Sequence, residues 1–121
     1  MSTVTFVVLT NDEERTISRR LWELRHQDAD PATVESIEVV VVDGNSTDRT
    51  LLLAVPFADA LAVAAADRAA QEDLGRRIAT GDVCVIVDAD TVISPWLARD
   101  AVTASTAPAD LGEHDRQLAP A

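Results

Sequence analysis

The sequence predicts an α/β domain, a mostly parallel sheet with flanking helices, and two observations carry that prediction. Three short runs, residues 4–9, 37–42 and 83–87, are nearly continuous in apolar and largely β-branched residues, the composition of strands buried on both faces. The stretches between them carry apolar residues at helical spacing, and strands alternating with helices favour a parallel sheet because parallel neighbours need long crossovers.

Taken in order, residues 4–9 form the first strand. Asn11 is a candidate N-cap with Glu14 as its capping-box partner, and Asp12 and Glu13 suit the positive end of a helix dipole. Ile17, Leu21 and Leu24 then repeat at helical spacing, with Arg19, Arg20, Glu23 and Arg25 on the other face, until Asp28 to Pro31 breaks the helix. The second strand, 37–42, runs into Asp43-Gly44-Asn45-Ser46-Thr47-Asp48, a turn-forming cluster that also offers helix caps. A short helix is expected over 50–55, stopped by Pro56, followed by a strand at 60–64 that runs against the helical preference of its alanines. Residues 68–79 read as a helix with Gly81 as its C-cap glycine. The third apolar strand, 83–87, leads directly into Asp88-Ala89-Asp90. Ser94-Pro95 reads as a cap followed by proline at the first helical position, with helix to about residue 104. Residues 1–104 therefore form one domain. The stretch 105–121 is small, polar and proline-containing, without apolar periodicity, and is expected to be a frayed tail.

Composition narrows the function classes. The chain has 121 residues, 47% of them hydrophobic, enough for one modest core. No apolar stretch is long enough for a transmembrane helix, and no basic leader precedes the first strand. The expected location is therefore the cytoplasm. The single cysteine, Cys84, sits in an apolar run and reads as a buried small hydrophobe. Acidic residues number 21 against 10 basic, a net charge of −11, and every basic residue is arginine. Such a surface repels nucleic acid and anionic lipid. Acidity without lysine matches salt-adapted proteins, or codon bias in a GC-rich genome.

In an open parallel sheet, ligands bind beyond the carboxyl ends of the strands. The three clear strands end in polar clusters: Thr10 to Glu14, Asp43 to Ser46, and Asp88 to Asp90. Folding gathers them at one edge, where several carboxylates need a cation or hydrogen-bond donors. Hard oxygen ligands suit Mg²⁺ or Mn²⁺ rather than zinc. Among 14 aspartates, chance gives about one or two Asp-x-Asp matches, and Asp28-Ala29-Asp30 reads as solvated surface. Asp88 and Asp90 differ because a buried strand runs straight into them. Separately, the other two clusters read as a helix cap and a turn; their shared sheet edge is what points to a site.

The blocks Val7 to Ile17, Val40 to Thr50, and Arg68-Ala69-Ala70-Gln71 followed by Gly75, Gly81-Asp82 and Val85 to Thr91 resemble, in order and spacing, the opening of family 2 (GT-A fold) glycosyltransferases. The resemblance spans roughly residues 3 to 97. It implies a Rossmann-like half that binds a nucleotide-diphospho-sugar, commonly a UDP-sugar. By the same resemblance the Thr10 region, with Asp12 and Glu13, lines the nucleoside pocket, Asp43 hydrogen-bonds the base and Arg68 lies close to the nucleotide. Asp88 faces the ribose or the metal, and Asp90 holds the divalent cation on the diphosphate. The chain departs from the family at Leu9, Asn11 and Asp12, where proline, an aromatic or apolar residue, and asparagine are usual, and at Asp67 and Asp73, where glycine and asparagine are common.

Family members continue past this region into an acceptor-binding half that usually supplies the catalytic base. No base is identified here, since Asp110, Glu113, His114 and Asp115 lie in no acceptor motif and read as solvated tail. The expectation is a donor-binding domain that is a poor catalyst by itself, because transfer depends on orienting two substrates; the alternative is a non-catalytic nucleotide-sugar binder or a module that completes a partner. An uncovered sheet edge would favour self-association at low salt, or a partner protein supplying the acceptor site. A phosphoacceptor receiver domain needs a lysine the chain lacks, and a nucleotidyltransferase would carry a glycine-rich loop after the first strand.

Overall fold

The fold is built outward from β1 (Ser2–Thr10), whose side chains are almost all buried from Val4 onward. It pairs in parallel with β2 (Val34–Asp43) on one side and with β4 (Val83–Val87) on the other. The short β3 (Ala60–Val63) pairs in parallel with β2, giving the order β3-β2-β1-β4. This computed structural model describes residues 2–105, so the expected tail falls almost wholly outside the described residues. No helix among them is long and apolar enough to cross a membrane.

Alternation along the central strands divides the core into two layers. On one face Val4, Phe6 and Val8, with Val39, Val41, Val83, Val85 and Val87, pack under α1 (Ile17–Arg25), α2 (Thr50–Ala54) and α4 (Leu97–Ser105). Ile17, Leu21 and Leu24 are the inward stripe of α1, and Ala98, Ala101 and Val102 that of α4. On the other face Val7, Leu9, Val40, Val42 and Cys84 pack under α3 (Arg68–Ile78) through Leu74 and Ile78. The expected sheet, its parallel sense and the burial of Cys84 are thus all present.

Two glycines mark close approaches. A Cβ on Gly75 would lie 2.2 Å from Val7 Cγ1, so α3 sits on the sheet at a distance only glycine allows. A Cβ on Gly81 would lie 2.4 Å from Thr5 Oγ1. Gly81 is therefore not the helix C-cap glycine expected from the sequence: α3 ends at Ile78 with Ala79 as its cap, no glycine among the described residues has positive φ, and the absence of a side chain at Gly81 serves its contact with β1 instead.

The start of α1 also differs from expectation. The helix begins at Ile17 rather than after Asn11. The amides that would open an earlier helix are committed elsewhere: Asp12 N–H donates to Ser46 Oγ (2.8 Å), Glu13 N–H to Thr50 Oγ1 (2.8 Å) and Glu14 N–H to Asp48 Oδ2 (3.3 Å). Asp12 adopts the left-handed region with φ of 51°, and Asn11 Nδ2 donates to Gly44 O (2.7 Å) instead of capping. Likewise α4 starts at Leu97, one turn into the segment capped by Ser94, whose Oγ accepts from Trp96 N–H (3.2 Å).

Candidate functional site

Register brings the strand tips together. Thr10 pairs with Asp43, and Val8 pairs with Val87, which places Asp88 beside the end of β1. A cleft of about 280 Å³ opens there, lined by Leu9, Thr10, Asn11, Glu13, Arg68, Gln71, Asp88 and Ala89. Of the residues expected at the site, Thr10, Glu13, Arg68 and Asp88 line this cleft, whereas Asp12, Asp43 and Asp90 do not. A second cleft of about 160 Å³, between Trp22, His26, Ile93 and Pro95, holds none of the strand-tip residues.

Thr10 is 2% exposed, and its Oγ1 is buried without a hydrogen-bond partner. Its carbonyl accepts from Gly44 N–H (2.8 Å) and from Gln71 Nε2 (3.2 Å). Gln71 also donates to Val42 O (3.1 Å), so one buried amide on α3 ties the ends of β1 and β2 together. The sequence alone assigns Gln71 no role. The available signal was its place four residues before Gly75, on the inward stripe of α3.

Asp43 ends β2 at 2% exposure and is stabilised locally: Ser46 donates its N–H to Oδ2 (2.7 Å) and its hydroxyl to Oδ1 (2.6 Å). The turn is completed by Asn45 at φ of 64°, a conformation asparagine tolerates better than most residues. Asp12 faces the same turn and accepts from Thr47 N–H (2.8 Å), while Glu13 accepts from Asn11 N–H (3.1 Å). Asp12 therefore joins two loops.

The Asp88-Ala89-Asp90-Thr91 turn follows β4. Asp88 Oδ1 accepts from Asp90 N–H (3.0 Å) and Thr91 Oγ1 (3.1 Å), and its Oδ2 is paired with the Arg68 guanidinium. Arg68 holds the Asp88 carboxyl below the usual carboxylate range; burial opposes this, and the Asp90 amide and Thr91 hydroxyl assist it. The same pairing with Asp88 raises the Arg68 guanidinium. Asp90 is exposed, and its carboxylate has no hydrogen bond or ion pair among the described residues. No cluster of three or more acidic, histidine or cysteine ligands exists among the described residues.

An open parallel sheet with a polar cleft at its carboxyl edge defines an α/β protein of the class in which ligands bind beyond the strand tips. The family described as glycosyl transferase family 2 matches residues 5–110, and the chain belongs to that family. Among solved structures, a mannosyltransferase of Pyrobaculum calidifontis in complex with GDP-Man and Mn²⁺ is 28% identical, with a TM-score of 0.67, over 93% of this chain and 38% of its own. TarS of S. aureus in complex with UDP-GlcNAc is 24% identical, with a TM-score of 0.66, over 85% of this chain and 31% of its own. Glucosyl-3-phosphoglycerate synthase of Mycobacterium tuberculosis, in complex with Mn²⁺, UDP and glucosyl-3-phosphoglycerate, is 20% identical, with a TM-score of 0.54, over 80% and 37%. The chain thus has the GT-A fold and spans about a third of the length of these structures. No curated protein was found to match it.

Proposed function

We propose that this chain binds a nucleotide-diphospho-sugar, in the first instance a UDP-sugar, together with Mg²⁺ or Mn²⁺, as the donor-binding part of a glycosyltransferase. The observation that carries the reading is the convergence of Thr10 at the end of β1, Glu13, Arg68 on α3 and Asp88 beyond β4 on one cleft. Asp43 still has accepting capacity beyond its two bonds from Ser46 and is the proposed acceptor for a base N–H. Arg68, exposed and donor-rich, suits a diphosphate.

The donor set fits a divalent cation of this kind. Asp88 and Asp90 offer hard carboxylate oxygens on one turn, and Asp90 is unencumbered. Two carboxylates on one turn suit Mg²⁺ or Mn²⁺, which take one or two carboxylates and fill the remaining positions with phosphate oxygens and water. When bound, such a cation stabilises negative charge developing on the departing diphosphate.

Titration calorimetry of UDP, UDP-glucose and GDP-mannose with and without Mn²⁺, repeated with Asp90→Ala, tests the reading. Metal-dependent binding that the substitution abolishes supports it. A folded chain that binds none of these nucleotides refutes it.

A further inference from the structure

We propose that Arg20 is a positioning residue that holds the Asp88-Ala89-Asp90-Thr91 turn in the arrangement a cation needs; the inference rests on the reading of Asp88 and Asp90 given above. Helical spacing put Arg20 on the polar face of α1, among side chains expected to meet solvent. It is instead partly buried, and its Nη2 donates to two backbone carbonyls of the turn, Asp88 O (2.5 Å) and Thr91 O (3.2 Å). It forms no salt bridge among the described residues. One nitrogen of its guanidinium is thus committed to main chain.

The consequence is a turn held from both faces of the sheet. From one face, Arg68 on α3 takes the Asp88 carboxylate; from the other, Arg20 on α1 takes the carbonyls. The two contacts respond differently to a ligand. An incoming diphosphate competes with Asp88 for Arg68, because both are anions seeking the same fork. Arg20 does not line the cleft, and its partners are the turn's own carbonyls, so a diphosphate seated in the cleft does not meet it. Arg20 is thus the contact that keeps the turn in place when Arg68 changes partner. Its fixed charge also offsets the repulsion between two neighbouring carboxylates.

The test uses Arg20→Ala and Arg20→Lys, with amide hydrogen exchange over residues 88–91 and calorimetry of UDP with and without Mn²⁺. In Arg20→Ala, exchange of the Asp88, Asp90 and Thr91 amides should rise about tenfold, the size expected for a charged hydrogen bond. The gain in UDP affinity conferred by Mn²⁺ should fall by about the same factor, with metal-free UDP binding changed by less than about twofold. Arg20→Lys, which keeps the charge and one donor, should recover part of both effects. Unchanged exchange overturns the proposal, and so does an equal loss with and without metal, which is what a merely structural arginine would produce. If the parent chain shows no metal-dependent UDP binding, the donor-site reading fails, and the exchange rates still decide whether Arg20 holds the turn.

Discussion

Arg68, at the first turn of α3, is ion-paired with Asp88, one residue beyond the end of β4, so the helix covering one face of the sheet and an edge strand meet at the cleft through opposite charges. The pair is partly solvated, with Arg68 at 57% and Asp88 at 28% side-chain exposure. It therefore organises the site more than it stabilises the fold, since exposed ion pairs contribute about 0–1 kcal/mol.

Replacing Arg68 by methionine should separate those two roles. Stability at pH 7 should fall by no more than about 1 kcal/mol in urea unfolding. The Asp88 carboxyl, followed by NMR in the absence of metal, should titrate higher, toward its ordinary value of 3.8. Asp88 is depressed in the folded chain, so its contribution is present above that value and lost as pH falls through the folded pKa. An Asp88 titration that does not move would mean that the backbone and Thr91 hydrogen bonds hold it low without Arg68.

Gly75→Ala should destabilise the chain although alanine is the better helix former. The added methyl would meet Val7 Cγ1 at 2.2 Å and Val42 Cγ2 at 3.2 Å. Overpacking costs about 1–3 kcal/mol, against a propensity gain of about 1 kcal/mol. The checking measurement is the urea midpoint. A midpoint at or above that of the parent chain would show that α3 can lift off the sheet at little cost.

Glu38→Gln should cost stability in a pH-dependent way. Burial pushes the Glu38 carboxyl up, but hydrogen bonds from the Thr5 hydroxyl and from the Thr80 amide and hydroxyl outweigh it, leaving it below its ordinary value of 4.5. A depressed carboxylate stabilises the fold above its unfolded pKa, and the contribution is lost as pH falls through the folded pKa. The variant should therefore unfold more easily by about 1 kcal/mol at pH 7, and the difference should shrink on acidification below 4.5. Thermal melts at pH 7 and pH 3 check this. An equal deficit at both would point to lost shape complementarity instead of lost charge.

Much of this was legible in the chain. The strands at β1, β2 and β4 announced themselves as β-branched runs, because a strand covered on both faces has no polar side to present. The carboxyl-edge clusters were legible because each follows directly on such a run. Gln71 and Arg20 were not, because each side chain takes its meaning from carbonyls distant in sequence: Gln71 reaches Thr10 and Val42, and Arg20 reaches Asp88 and Thr91. Asn11 and Gly81 depart from their local expectation for the same reason. Local rules offered a helix cap and a C-cap glycine, and contacts with Gly44 and Thr5 prevailed.

By itself the sequence determined the alternation of strands and helices, the parallel sense of the sheet and the edge at which polar residues collect, since these follow from short-range periodicity and from where apolar runs stop. Tertiary structure decided which acidic groups face the cleft and which lock the loops. Asp12 and Asp88 look alike in the chain, yet Asp12 accepts from Thr47 N–H while Asp88 lines the cleft against Arg68. A carboxylate's role is set by the donors that reach it, and here those donors arrive from elements separated by tens of residues.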